Sequence, residues 1–236
     1  MNAKDALLAA SGLLGGNSGG GGGGVTVTPL SITENGTYTA PSGTAYSPVT
    51  VAVTGKDPLD LARSILDNTV VEYVDPVLTV LKEQAFRSCT RLSKLQVHSI
   101  VTINQQALQG TTSLGSLAFP NLTTTAQYAF FGTSAPVIDF GESYRDGVYG
   151  YIMQNAATAT LVFRHGSVAP LSHIPSLPVP FQSGGSGGTL YVPSALISAY
   201  QSATNWSTVL GYPNNQIEAI EGSVYETQYA DGTPIA

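Results

Sequence analysis

The sequence predicts a mainly β fold with short helices, in which a small β module precedes a short solenoid of stacked repeats with helical caps. Three observations predict it: alternating apolar residues within 25–55, a 22-residue self-similarity within 70–141, and a Pro-led helical pattern on each side of that repeat region. Because one repeat of this length cannot bury its own apolar side, neighbouring repeats must stack to form a core.

Composition and charge limit the classes of function. The 236 residues are 42% hydrophobic but only 10% charged, against about 25% charged in an average soluble protein. The net charge is −6, with nine Lys and Arg. Since nucleic-acid affinity depends on Lys and Arg displacing counterions, we predict no nucleic-acid partner. No apolar run is long enough for a transmembrane helix, so no membrane span is predicted.

Residues 1–24 predict an anchor and a tether. Residues 1–14 are expected to form a short helix, which gains stability by docking its apolar face on a partner subunit. Residues 15–24, GGNSGGGGGG, lack side chains to bury and predict a flexible linker. The residues predicted to form the anchor's apolar face are Ala3, Leu7, Leu8 and Leu14.

A signal peptide is the alternative interpretation of this start. The stretch 6–14 is apolar and follows Lys4, but Asp5 interrupts the basic end and the glycines that follow do not form a small-residue cleavage site. We therefore favour the anchor.

Residues 25–55 predict the small β module. Val49, Val51 and Val53 alternate at strand period, and Asn35-Gly36 is typical of a tight hairpin turn. The predicted solenoid covers residues 56–209, and it begins with a cap helix that Asp57 and Pro58 initiate. A C-terminal strand and tail, residues 210–236, complete the chain.

The repeat is the most specific feature of the sequence. A set of apolar positions recurs at a 22-residue period: Ala85, Phe86, Cys89, Leu92, Leu95 and Val97 match Ala107, Leu108, Thr111, Leu114, Leu117 and Phe119. A third copy begins at Ala129-Phe130, and Leu81, Ile103 and Thr125 hold a further matching position. The pattern predicts stacked strands at Leu95–Val97 and Leu117–Phe119, with buried Ala-Phe corners and a buried Cys89.

This pattern resembles the BspA-like leucine-rich repeats over about residues 70–141. The segment 189–209, TLYVPSALISAYQSATNWSTV, is similar to the strand, helix and Asn-Trp that close such arrays, with Tyr200 and Trp206 as the large buried residues. The resemblance implies a leucine-rich-repeat solenoid. Residues 142–188 depart from the period, which leaves the geometry between the array and its closing segment open.

The β module is similar to a segment found in virion proteins of phages and prophages of Firmicutes. The similarity covers residues 31–53, SITENGTYTAPSGTAYSPVTVAV. It implies a location in a phage particle and a structural role, and it transfers no functional residue.

The residues that could support catalysis are scattered. His98, His165 and His173 show no metal-ligand spacing and are interpreted as surface or loop residues. Asp139 and Glu142 are near enough for a glycosidase pair, but solvated loop charges explain them better. We predict that the chain is not an enzyme and uses no cofactor or metal.

A recognition surface is predicted at residues 144–152, YRDGVYGYI. Tyr and Arg are enriched at binding hot spots because they give a large contact area at low entropic cost. The residues predicted to bind are Tyr144, Arg145, Tyr149 and Tyr151. The alternative is an inserted hairpin whose tyrosines cover the core.

The sequence as a whole predicts a virion structural protein, a fibre, tail or head appendage. It would attach by its N-terminus, bind other virion proteins or a host glycan or protein through its repeats, and form a homo-oligomer in the particle. The alternative is a secreted bacterial cell-surface adhesin.

Overall fold

The computed structural model describes residues 30–34, 38–39, 45–46, 50–53, 70–74, 78–148 and 151–235. The architecture is mainly β, with parallel-strand sheets and few short helices, so the predicted fold class is confirmed at that level. The described strands are β1 (Leu30–Glu34), β2 (Tyr38–Thr39), β3 (Ala45–Tyr46), β4 (Thr50–Val53), β5 (Val70–Val74), β6 (Val80–Leu81), β7 (Lys94–Gln96), β8 (Thr102–Ile103), β9 (Leu117–Phe119), β10 (Thr124–Thr125), β11 (Val137–Phe140), β12 (Thr160–Phe163), β13 (Thr189–Val192) and β14 (Gln216–Ala219).

The β module shares a sheet with the first repeat strands. The strand order is β4-β1-β5-β7, with β1 antiparallel to β4 and β5, and with β7 parallel to β5. This continuous sheet crosses the boundary predicted between residues 25–55 and 56–209. Asn35 and Gly36, where the sequence predicts a hairpin turn, lie outside the described residues; of the flanking strands, β1 pairs with β4 and β5, and β2 pairs with β3.

The 22-residue period appears directly in the strand register. In the sheet β6-β8-β10, Leu81 pairs with Ile103 and Ile103 with Thr125, so that each strand residue lies beside its equivalent in the next repeat. Inward side chains of these strands are fully or almost fully buried. The matching positions found in the sequence are therefore neighbours in space.

Another sheet, β14-β13-β12-β11-β9, is entirely parallel. Ile138 pairs with Leu117 and Phe140 with Phe119, so this step is one residue shorter than the 22-residue period. The same sheet continues through β12 and β13, so parallel stacking does not stop near residue 141.

Residues 142–188 lose the sequence period because the steps between paired strands lengthen. Val137 pairs with Thr160, so the step between these strands is one residue longer than the period. Thr160 pairs with Thr189, and this step is several residues longer than the period. The strands nevertheless remain in one parallel sheet, so the stacking survives the loss of an equal spacing.

β7 and β9, which the sequence predicts to stack, contact each other without forming a ladder. β7 pairs with β5 and β9 with β11, so the two strands belong to different sheets. A hydrogen bond of 2.7 Å from the Gly115 amide to the Ser93 carbonyl links the chain just before them. A groove of about 400 Å³ lies here, and Lys94 and Asp231 are among its lining residues.

The predicted Ala-Phe corners are buried, as is Cys89. Phe86, Leu108 and Phe130 are each at most 1% exposed. The Phe86 amide donates to the Ala107 carbonyl at 2.7 Å, and the Leu108 amide to the Ala129 carbonyl at 2.9 Å, so backbone hydrogen bonds join one corner to the next.

Two short helices close the C-terminal end, α1 (Ile197–Ser202) and α2 (Trp206–Leu210). The predicted burial of Tyr200 and Trp206 is confirmed, since both are 0% exposed. Both side chains form hydrogen bonds with the backbone of Ala169. The Ala169 amide donates to the Tyr200 hydroxyl at 2.9 Å, and the Ala169 carbonyl accepts from the Trp206 indole at 2.7 Å. The predicted anchor, linker and cap helix lie outside the described residues.

Candidate functional site

Tyr144, the first of the four predicted binding residues, is part of the core. It is 1% exposed, its ring stacks on Phe140 with the centroids 4.5 Å apart, and its hydroxyl donates to the Gly147 carbonyl at 2.7 Å. The prediction that Tyr144 contacts a partner is therefore wrong. The alternative interpretation, in which the tyrosines cover the core, fits Tyr144. Its inserted hairpin does not fit Val148, which forms a parallel bridge with Leu171.

The other predicted binding residues do not converge on one site. Arg145 is exposed and its guanidinium donates to the His165 ring at 2.7 Å. Tyr151 is half-buried and contacts Tyr128 and His173 instead. Tyr149 lies outside the described residues, as do the predicted anchor residues Ala3, Leu7, Leu8 and Leu14, for which the prediction stands.

Tyr151 belongs to a regular turn surface that sequence reasoning missed. In each repeat the chain makes tight turns that contain a residue with a positive φ, close to 60°, and these residues are Gln84, Gln106, Tyr128 and Tyr151. They recur at the repeat period, with one extra position before Tyr151. We name the surface formed by residues 83–88, 105–110, 127–132 and 151–155 the turn face, and each of these segments a rung.

Side chains at equivalent positions of the turn face contact each other between the first and second rungs and between the third and fourth. The Gln84 amide donates to the Gln106 side-chain oxygen at 3.0 Å. The rings of Tyr128 and Tyr151 stack with centroids 6.1 Å apart and planes 7° apart. His173 continues the line, since its Nε2 lies 3.3 Å from the Tyr151 hydroxyl. These planar groups form one column along the array.

We name the outer side of the sheet β14-β13-β12-β11-β9 the strand face. Asp139, Val162 and Tyr191 are register neighbours and so project from the same side of the sheet. Asp139 and Val162 are both 0% exposed. The strand face is therefore covered at β11 and β12.

The cover is the C-terminal segment 221–235, which we name the clasp. It runs back across the strands: Tyr225 contacts the Tyr191 ring edge-on at 4.8 Å, and the Ala230 amide donates to Asp139 at 3.0 Å. A bridge between Gln228 and Pro234 folds its end into a small hairpin. The clasp thus crosses from β13 to β11.

A buried ion pair holds the clasp. Arg164 makes a bidentate contact with Asp139, its Nε and Nη2 donating to the two carboxylate oxygens at 2.9 and 2.8 Å. The remaining guanidinium donors reach the carbonyls of Tyr225 and Gln228 at 2.8 and 3.0 Å. Arg164 also lies over the Tyr229 ring, 4.9 Å from its centroid. Asp139 is therefore not the solvated loop charge that the sequence suggested.

The tip of the clasp reaches the sheet β4-β1-β5-β7. The His98 ring donates to Asp231 at 2.6 Å, just beyond β7. The clasp consequently connects the two sheets across the groove between β7 and β9. Of the three histidines, which the sequence placed on the surface or in loops, His98 is thus tied to the clasp.

The pKa values of the two carboxylates at the clasp, Asp139 beneath it and Asp231 at its tip, shift in opposite directions. Burial raises the pKa of Asp139, and the Arg164 guanidinium and the Ala230 amide oppose that effect. Burial also acts to raise the pKa of Asp231, but hydrogen bonds from His98 and Thr233 outweigh it, so the pKa falls below its usual 3.8. Both carboxylates therefore rely on donors that the fold supplies.

Within the described ranges, no group of three or more His, Cys, Asp or Glu side chains is placed to hold a metal ion. The helices in that part of the chain are too short or too polar to cross a membrane. No protein-family model, curated protein or solved structure matches this chain.

Proposed function

We propose that this chain is a non-enzymatic structural protein of a bacteriophage particle, built on a leucine-rich-repeat solenoid. It would attach to the particle through residues 1–14, be spaced from it by residues 15–24, and bind another virion protein or the host surface through the repeat body. The observation that carries the proposal is the 22-residue register that joins Leu81, Ile103 and Thr125 as strand neighbours.

Several features support the solenoid. Each repeat contains a strand, a second short strand and a tight turn, and each of these is hydrogen-bonded to its equivalent in the next repeat, except that β7 and β9 do not form a ladder. Such arrays expose long, regular surfaces, which repeat proteins use for binding. The buried Ala-Phe corners are those that resemble the BspA-like repeats.

The virion assignment rests on the β module and on the tether. Residues 31–53 are similar to a segment of phage virion proteins, and a glycine tether would let an anchored body reach its partner. Low charge also suits a protein that is kept in place by an assembly.

The direct test is the composition of particles. Phage particles released from the producing strain should contain this chain after density-gradient purification, as detected by peptide mass spectrometry and by immunogold labelling. Recovery of the chain in the cell-wall fraction, with none in particles, would contradict the proposal and favour the adhesin.

The anchor is tested by deletion. A chain without residues 1–14 should keep its melting temperature and fail to enter particles, because the body folds without the anchor. Deleting four glycines from residues 19–24 is the matched control and should leave incorporation intact. Normal incorporation of the first variant would move the anchor elsewhere in the chain.

A further inference from the structure

The turn face is chemically unlike the rest of the molecule. Three of its four rungs, residues 105–110, 127–132 and 151–155, contain no Asp, Glu, Lys or Arg. Six of the chain's eleven glutamines lie on it: Gln84, Gln105, Gln106, Gln109, Gln127 and Gln154. Amides and aromatic rings therefore replace charge over three successive repeats.

The backbone beneath these side chains is held rigidly. The Gln106 amide donates to the Gln127 carbonyl at 3.3 Å, and the Gly110 amide donates to the Phe131 carbonyl at 2.8 Å. The next step repeats the pattern, with the Gly132 amide donating to the Gln154 carbonyl at 3.0 Å. A surface that is already ordered loses little entropy when it binds a ligand.

The glutamine amides suit a ligand rich in hydroxyl groups. Each amide offers two donors and an acceptor without a net charge, and a hydroxyl likewise both donates and accepts. The Gln109 side-chain oxygen is buried and has no hydrogen-bond partner. An unsatisfied acceptor costs free energy, which a hydroxyl donor reached by a small side-chain rotation would recover.

The aromatic residues provide apolar area in the middle of these amides. Phe131 and Tyr128 are half-buried, and their rings meet edge to face with centroids 5.6 Å apart. Tyr151 also stacks on Tyr128. The C–H surface of a sugar ring can pack on such a cluster while its hydroxyls bond to the flanking glutamines.

We infer that the turn face binds a neutral glycan along the column Gln106, Tyr128 and Tyr151. The inference rests on the proposed function, for which it names the ligand class of the repeat body. A charged ligand is disfavoured, because the three rungs 105–110, 127–132 and 151–155 contain no charged side chain to pair with it. A protein partner would pack on Tyr128 and Phe131 but would leave most of the surrounding amides without a hydrogen-bond partner.

The test is binding of the full chain to an immobilised array of neutral and acidic oligosaccharides, followed by titration of the strongest neutral ligand. Tyr151→Ala and Gln106→Ala should each weaken binding about tenfold, as expected for residues at the centre of a contact. The matched controls are Tyr212→Ala, another half-buried tyrosine, and Gln201→Ala on α1, and both should bind like the original chain. Melting temperatures verify that each variant folds.

Three results would overturn the inference: no binding to any neutral glycan, binding to acidic glycans alone, or binding that Tyr151→Ala and Gln106→Ala both leave unchanged. Particle incorporation of the same variants separates this inference from the proposed function. If the original chain enters particles but binds no neutral glycan, only the glycan inference fails. If glycan binding holds while the chain is absent from particles, the virion assignment fails instead.

Discussion

The turn face and the strand face are two sides of the same stacked repeats, and they differ in what covers them. The turn face presents glutamines and tyrosines with the backbone hydrogen-bonded from rung to rung beneath them. The strand face lies under the clasp, where Asp139 and Val162 are 0% exposed. One regular array therefore produces an open surface and a closed one.

The difference shows how an irregular segment determines which surface of the stacked repeats is exposed. Stacking alone would leave both faces open, because every repeat contributes the same kinds of position to each. The clasp closes the strand face through Arg164, which connects a buried carboxylate to two clasp carbonyls. Which face stays open is thus set by residues outside the repeat.

The largest expected effect comes from opening the strand face. Asp139→Ala should lower the free energy of unfolding by about 3–5 kcal/mol, because it leaves the Arg164 guanidinium largely buried without its carboxylate. Denaturant unfolding measures this change. Glu142→Ala, which removes an exposed carboxylate nearby, should stay within about 0.5 kcal/mol.

A double-mutant cycle sharpens this result. Asp139→Ala combined with Arg164→Ala should cost clearly less than the sum of the two single changes, since the second change removes the stranded charge. Additive costs would mean that the pair does not act as a unit and that the clasp is held by other contacts.

A slightly smaller effect is expected below the turn face. Leu108→Ala should cost about 2–5 kcal/mol, because Leu108 is 0% exposed and its removal leaves a cavity between neighbouring repeats. Val101→Ala, at a residue that is 38% exposed, is the matched control and should change stability by less than about 0.5 kcal/mol. Equal effects at the two positions would refute the repeat assignment.

On the turn face itself, two substitutions should act in opposite directions. Ser88, Gly110 and Gly132 occupy equivalent positions with φ values of 61°, 70° and 65°. Ser88→Gly should raise stability and Gly132→Ala should lower it, each by about 1 kcal/mol, because only glycine adopts this conformation without steric cost. Thermal unfolding of both variants, compared with the original chain, checks the signs.

The smallest effect concerns the clasp tip. The pKa of Asp231 is lowered in the folded protein, so the stability that its ionised form contributes is present above the usual value of 3.8 and is lost as the pH falls through the lower folded-state value. Asp231→Asn should therefore be less stable than the original chain well above that usual value, and the difference should shrink below it. A difference that grew on acidification would contradict this sign.

The sequence allowed the stacked register to be predicted for residues 81–140. Ala, Phe and Leu at fixed 22-residue intervals specify which positions must be buried together, and Leu108 and Phe130 lie where that spacing puts them. The array beyond residue 141 was missed because its steps become longer than the period and unequal while the strands still pair. Periodicity thus detects equal steps but not the parallel sheet that continues without them.

The clasp and the turn face could not be found in this way. The contact between Ala230 and Asp139 joins positions far apart in the chain, and no local pattern encodes so distant a pairing. One signal was present, since Asp139 interrupts the otherwise apolar strand Val137–Phe140 and a carboxylate in that setting needs a cation. The turn face carried a second signal in its glutamines, which share a face only once the positive-φ turns are known.

The stacked register underlies both faces, and cysteine cross-linking tests it most directly. Thr102 and Thr124 pair on adjacent parallel strands, with hydroxyl oxygens 3.2 Å apart. Thr102→Cys combined with Thr124→Cys should therefore form a disulfide under mild oxidation, since adjacent strands lie about 4.8 Å apart. Thr102→Cys with Thr123→Cys, out of register by one residue, should remain reduced. A cross-link in the second pair and none in the first would contradict the 22-residue stacking.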